Sequence, residues 1–452
     1  MMRSLYSGVA GLKTHQTRMD VIGNNIANVN TTAYKSQSMT FSDLMYQTTQ
    51  SASGANTTTG VGGVNARQIG LGSKTSAIKT AITTQGASQT TNDPFDIMIT
   101  GDAFFIVSNG MDKFFTRDGS FYVDGAGNLA MTSTGYNVMG WQVDPNNPSA
   151  IKQDTVSALR IMTEENLTYP PEATTAARIT GILDKNDTNV NSTSGKIMNL
   201  EFYDNLGYKY TAKLSVHDAD ATKDDGKYYV QLDDILDSNG KSVMVAGEAD
   251  LREGTTTLDK AALEFSTENG KFKQVGKTEG NKAITLHFDD TTFPSFSDIT
   301  IDFSTISNVN NNGSSTIAPI RGDSDGNYAG RKVGEMSGID IQKDGMIYAT
   351  YDNGQSRLMG QIAVATFANA SGLAKEGDNL YSATQNSGDF DGIGTDITAG
   401  GGYMNTGVLE MSNVDLSAEF TEMITTQRGF QANSRIITVS DTLLEELTNL
   451  KR

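Results

Sequence analysis

The sequence predicts a mainly β protein with an α-helix at each end, and three observations carry that expectation. Glycine is abundant and proline scarce, 46 and 7 of 452 residues, with Asp-Gly, Gly-Asn and Asn-Gly pairs separating short apolar runs. Such punctuation marks hairpins. Only the two ends keep a seven-residue apolar repeat, which the two-residue period of a strand cannot satisfy. Between them lies a long acidic stretch of different texture.

At the start, Leu5, Val9, Leu12, Met19, Ile22, Ile26 and Val29 are spaced 4, 3, 7, 3, 4 and 3, which predicts one amphipathic helix to about residue 30. At the far end Leu416, Phe420, Met423, Phe430, Ile437 and Leu444 form a second stripe, with Asp415 or Ser417 placed to cap its start. The first 30 residues carry Arg3, Lys13 and Arg18 against Asp20, whereas residues 415 to 452 carry six acids against four bases. Opposite bias suits helices that pair with each other or with neighbouring copies. Two packed helices of one monomeric domain would show the same spacing. Placement favours an assembly, because each stripe is flanked by polar, Gly-rich sequence with little local core to bury it. On that reading both ends are disordered in a free monomer and turn helical only when copies cover them.

Inward of the first helix, residues 46 to 74 are rich in Gly, Thr and Ser and poor in apolar side chains, the composition of a linker or extended arm. FDIMITGDAFFIV (95 to 107), RDGSFYVDGAGNLAM (117 to 131) and GIDIQKDGMIYATYDNGQ (338 to 355) predict hairpins. Trp141, in VMGWQV, reads as a core residue at a strand end. Residues 151 to 326 hold 17 basic and 28 acidic side chains, which marks a separate, outward-facing domain inserted into the first. The expected organisation is one of nested, stacked β domains. Residues 1–33 with 414–452 form the helical part, 34–72 with 403–413 an arm, 73–150 with 327–402 a middle β domain, and 151–326 the acidic insert.

Composition narrows the function. A formal charge of −18 argues against nucleic acid or an anionic membrane as partner. With no Cys, the chain has no thiol nucleophile, disulfide or Cys-ligated metal. No apolar run is long enough to span a bilayer, and Arg3, Gly8, Lys13 and His15 interrupt any secretory signal core.

Enzyme motifs fail one by one. Gly322-Asp-Ser324-Asp-Gly326 matches a nucleophile elbow, but no helix follows and all three His precede it, so it reads as a turn. Gly240-Lys241-Ser242 and Gly276-Lys277-Thr278 lack the upstream glycine of a phosphate loop. Asp323, Asp325 and Asn327, like Asp389, Asp391 and Asp396, lack the spacing of a calcium loop. His15, His217 and His287 read as surface or turn residues. No catalytic, cofactor or metal site is expected.

The run Asn24-Asn25-Ile26-Ala27-Asn28-Val29-Asn30-Thr31-Thr32-Ala33-Tyr34-Lys35 resembles the N-terminal signature of the bacterial flagellar rod and hook axial proteins. SNVDLSAEFTEMITTQRGFQANSRIITVSDTLLEELTNL resembles their C-terminal helix. PFDIMITGDAFFIV and the return segment from Gly338 are similar to hook members in particular, and together these cover roughly half the chain. Residues 151 to 326 resemble nothing named, and Ala33 stands where family members often have Gly.

The resemblance implies a structural, non-enzymatic subunit that polymerises into a curved, flexible tube joining rod to filament and carrying torque. A distal rod protein and a non-flagellar secreted surface protein are the alternatives. It further implies assembly through Leu5, Leu12, Met19, Ile22, Ile26, Phe420, Met423, Phe430, Ile437 and Leu444. Asn24, Asn25, Asn28, Thr31, Tyr34 and Lys35 would be signature residues, and Phe41 a residue read by the flagellar type III export apparatus; anchoring of the arm is an equal alternative for Phe41. Implied partners are other copies, the distal rod protein, the hook cap and the hook–filament junction proteins. The implied location is the flagellum outside the cell, reached without N-terminal cleavage.

Overall fold

The computed structural model describes residues 2–54, 60, 62–220, 226–244, 248–289 and 291–450. Parts of the expected arm (55–59 and 61) and of the expected insert (221–225, 245–247 and 290) lie outside the described residues. Two compact units emerge, one of residues 1–163, 339–349 and 357–452, the other of residues 164–338 and 350–356. The second unit thus begins and ends later than the 151–326 expected from charge. The reason is local: strands Asn147–Ile151 and Ser157–Ala158 pair with Asn137–Asp144 of the first unit despite their polar composition.

In the first unit, helix α1 (Met2–Ala27) packs along helix α2 (Leu416–Asn449) within one chain. Each helix thus finds cover in the other, one of the two partners that their opposite charge bias suits. Asp415 caps α2, its Oδ1 accepting the Ser417 and Ala418 amides at 2.8 and 3.2 Å. Beside the helices runs an arm of two antiparallel ribbons. Strand β1 (Gln37–Asp43) pairs with β4 (Ser73–Thr80), and β2 (Tyr46–Gln50) with β3 (Arg67–Gly70). The first ribbon lies on α1, where Thr14 and Ser73 hydroxyls meet at 3.2 Å. The second has every residue exposed.

The β body of this unit is built around strand Asn137–Asp144, which pairs with Phe104–Ser108 and Ser356–Ile362. Its core holds Phe104, Ile106, Phe115, Trp141, Val156 and Tyr381. Trp141 is buried, as its sequence context suggests, and its Nε1 donates to the carbonyls of Asp154 and Ile393 at 3.0 and 2.9 Å. The expected hairpin at 117–131 forms, with Phe121–Val123 against Leu129–Met131.

The second unit contains a five-stranded antiparallel sheet and a second sheet centred on Ala176–Leu183. Alternation is clean in strand Lys196–Tyr203, where Met198, Leu200 and Phe202 point in and Ile197, Asn199 and Glu201 point out. Those inward residues share a core with Leu214, Val230, Leu263, Leu286, Phe288 and Phe303. This core is separate from that of the first unit.

Candidate assembly site

The buried lines of the two helices mix small and polar side chains with a few larger apolar ones. On α1 the buried line is Gly8, Gly11, Thr14, Val21, Ile22 and Asn25. On α2, Glu419, Met423, Thr426, Asn433, Ile437, Ser440 and Leu444 are buried or half-buried at spacings of 4, 3, 7, 4, 3 and 4, a heptad line. Glycine permits the close approach. A Cβ on Gly8 would stand 3.2 Å from Ile437 Cγ1, and one on Gly11 would stand 2.7 Å from Asn433 Nδ2.

Of the residues expected to assemble copies, Ile22 is buried, while Leu5, Leu12, Met19, Ile26, Met423, Ile437 and Leu444 are half-buried. Phe420 and Phe430 are exposed. They join Leu416, Ile424, Ile436, Val439, Leu443 and Leu447 among the exposed large apolar side chains of α2. Met2, Tyr6 and Val9 are exposed on α1. A second set of large apolar side chains, mostly on α2, is therefore left uncovered within the chain.

The signature run forms the joint between helices and body. Asn25, fully buried, donates from Nδ2 to the Gln37 carbonyl (2.7 Å) and Glu419 Oε1 (2.8 Å). Its Oδ1 accepts from the Gln37 amide at 2.9 Å and the Tyr34 hydroxyl at 3.2 Å. One amide thus ties α1 to β1, to the signature turn and to α2. Burial pushes the Glu419 carboxyl above its usual range. Asn24 Nδ2 donates to the Tyr34 hydroxyl at 3.1 Å, and Asn28 Nδ2 to the Asn24 carbonyl at 2.9 Å, while Thr31 donates to Asn28 Oδ1 at 3.1 Å. Ala33 takes the left-handed φ of 55° that glycine adopts without cost. Lys35 is buried against Glu410, Nζ to Oε1 at 2.7 Å, with Arg117 Nη1 at 3.7 Å from Oε2. Burial pushes both the Lys35 ammonium and the Arg117 guanidinium down, and the Glu410 charge opposes it.

Phe41, on β1, is partly exposed and packs against α1: the His15 ring meets it edge-on at 5.5 Å and the Arg18 guanidinium lies 5.3 Å from its centroid. His15 is not a free surface residue as expected, since its other neighbour is Gly429 of α2. His217 is buried, stacked on Tyr229 at 4.9 Å and 3.0 Å from Ser215 Oγ, which also differs from the expected surface position. His287 pairs with Asp298 at 2.9 Å. The Gly322–Gly326 segment is a turn in which Asp323 Oδ1 accepts the amides of Asp325 and Asn327 at 2.9 and 2.8 Å. No described helix is long and apolar enough to cross a membrane.

Sequence reasoning did not single out Gly8, Gly11, Gly429, Asn433, Arg117, Glu410, Asn413 or Glu419. The Gly8-x-x-Gly11 spacing on a helix was a usable sign of close approach. Nothing local links Lys35 to Glu410, 375 positions away.

Comparison with known proteins matches both ends and a middle region that runs into the stretch from 151 for which no resemblance was found. Residues 5–35 match the family described as flagella basal body rod protein, residues 98–178 the flagellar hook protein FlgE/F/G D1 domain, and residues 405–450 the flagellar basal body rod FlgEFG protein C-terminal family. The flagellar hook protein FlgE of Treponema pallidum (strain Nichols) is 35% identical over 483 residues, covering 100% of both chains. That of Borreliella burgdorferi is 35% identical over 475 residues with the same coverage. The flagellar basal-body rod protein FlgG of Bacillus subtilis is 29% identical over 452 residues, again covering 100% of both. Full-length identity to hook proteins, together with helices, signature joint and D1 region in matching order, establishes that the chain belongs to the flagellar hook protein family.

Proposed function

We propose that this hook subunit assembles into a helical homopolymer through the outward faces of α1 and α2, and that its role is mechanical rather than catalytic. One observation carries the reading: packing within the chain leaves Leu416, Phe420, Ile424, Ile436, Val439, Leu443 and Leu447 of α2 exposed. Each such side chain gains about 1.5–3 kcal/mol when fully covered, so several per subunit make polymerisation favourable against the lost freedom of a free subunit. Further copies are the cover that a structural polymer supplies. The all-exposed β2/β3 ribbon supports the same reading, because a lone two-stranded ribbon is marginal in water.

Residues Asn24 to Lys35 then serve assembly indirectly, by holding the helices on the body. The distal rod protein, hook cap and hook–filament junction proteins are the end partners of such a polymer. The subunit reaches the outside of the cell through the flagellar type III export apparatus with its N-terminus uncleaved, and Phe41 belongs to the segment that is read. Ile436→Asp with Leu443→Asp tests the central step. The double variant should keep the monomer's helical circular dichroism and form no tubes under electron microscopy. Normal tubes would remove the outward face from the interface.

A further inference from the structure

The stretch that leaves α1 for the arm and the stretch that leads from the body back to α2 meet at one buried charge cluster. Lys35 sits on the stretch from α1 to β1, and Glu410 ends strand Val408–Glu410, just before α2. Arg117 comes from the body, and the side chains of all three are 0% exposed.

Glu410 gathers the parts. Its Oε1 accepts Lys35 Nζ at 2.7 Å and the Gly86 amide at 2.9 Å, while Oε2 faces Arg117. Lys35 Nζ donates also to the Thr84 carbonyl at 2.8 Å, and Arg117 donates to the carbonyls of Ile99 and Gly101. Asn413 bridges the two connections: its Oδ1 accepts the Ser36 amide at 2.8 Å and its Nδ2 donates to the Ala81 and Thr84 carbonyls at 2.9 and 3.0 Å. The Ala33 amide donates to the Glu410 carbonyl at 2.7 Å.

A trio of apolar side chains would fill this volume without the desolvation cost of three ions. Ions differ in tolerating only one arrangement, since a slip of either connection leaves a buried charge unpaired. We propose that Lys35, Glu410 and Arg117 form a lock that holds both connections in register on the body, so that α1, α2 and body turn as one lever. The mechanical use of the lock rests on the helices being the contact between copies. The lock itself does not.

Amide hydrogen exchange on the purified full-length monomer tests it. Lys35→Met keeps the stem and leaves Glu410 with Arg117 and the Gly86 amide; Glu410→Gln strands two cations. In Lys35→Met, exchange should rise at least tenfold over residues 33–37, 81–87 and 410–414 and stay at the wild-type rate in strands Phe104–Ser108 and Asn137–Asp144. Glu410→Gln should show the larger local effect, and if it fails to fold, Lys35→Met decides. A uniform rise over joint and body would make the cluster a source of general stability only, and no rise would mean it holds nothing; either overturns the lock. Tubes from Lys35→Met should also have a persistence length at least twofold shorter, and unchanged stiffness would overturn the lever. Should Ile436→Asp/Leu443→Asp form normal tubes while the joint responds as expected, the helix-contact reading falls and the lock stands.

Discussion

Gly429 of α2 lies against the imidazole of His15 of α1: a Cβ on Gly429 would stand 2.7 Å from Cε1 and 2.9 Å from Nε2. The ring also meets Phe41 of the arm. His15 of α1 is thus a wedge against both α2 and the arm, and the glycine makes room for it.

Gly429→Ala should therefore destabilise the protein although alanine is the better helix former. Overpacking costs about 1–3 kcal/mol against a gain of about 1 kcal/mol in propensity. Thermal unfolding of the variant should show a net loss with faster exchange along α1. A stabilised variant would mean that the helices separate without cost.

Burial, with Arg18 adding, holds the His15 pKa below its ordinary value of 6.5. The neutral ring is thus favoured in the folded state, and the unfolded chain binds the proton more readily. Its contribution is fully present above about pH 6.5 and is lost as pH falls from there through the lower folded value. An NMR titration should give a His15 pKa below 6.5, with α1 amides losing protection over the same interval. In His15→Gln that part of the pH dependence should vanish.

Phe41→Ala separates export from anchoring. It removes the ring between His15 and Arg18, so exchange in β1 and β4 should increase in the purified protein. The export reading expects a severalfold drop in secreted subunit at unchanged cellular level. Normal secretion with a loosened arm would leave Phe41 with the anchoring role alone.

Gly119→Ala should be among the most damaging single changes in the body. A Cβ there would stand 1.7 Å from the Ile97 carbonyl oxygen, beside the bond from the Ile97 amide to the Gly119 carbonyl at 2.9 Å. Backbone must move, and a loss of about 3 kcal/mol or more is expected, read as a lower denaturant midpoint at unchanged slope.

Removal of residues 164–338 should leave a folded first unit, because the second has its own core around Leu200, Leu214 and Phe303. The shortened chain should still form tubes. Soluble monomer with intact circular dichroism in the helical bands would show that the second unit is needed for assembly.

Local patterning made much of this legible. The heptad stripes, the Asp415 cap, the hairpin at 117–131 and the burial of Trp141 all follow from contacts or preferences within a few residues. The arm's ribbons were less visible, since β2 and β3 are polar and fully exposed and carry no alternation to read. His15 and His217 misled because polarity suggests water. One packs against a glycine 414 positions away, the other on the neighbouring-strand Tyr229.

The sequence by itself determined that both ends are helices, that the middle is β, and which family the signature run resembles, because period, turn chemistry and motif are properties of neighbours along the chain. Only the tertiary structure decided which helix face is spent inside the subunit. Close approach selects Gly8, Gly11, Gly429 and Ser440 for the seam, since two backbones pack nearer where side chains are small. The larger Phe420, Ile436 and Leu443 are left outside. It alone also decided that Lys35 meets Glu410. Two charges so distant along the chain become partners only when folding removes water from around both, and nothing in either neighbourhood encodes that meeting.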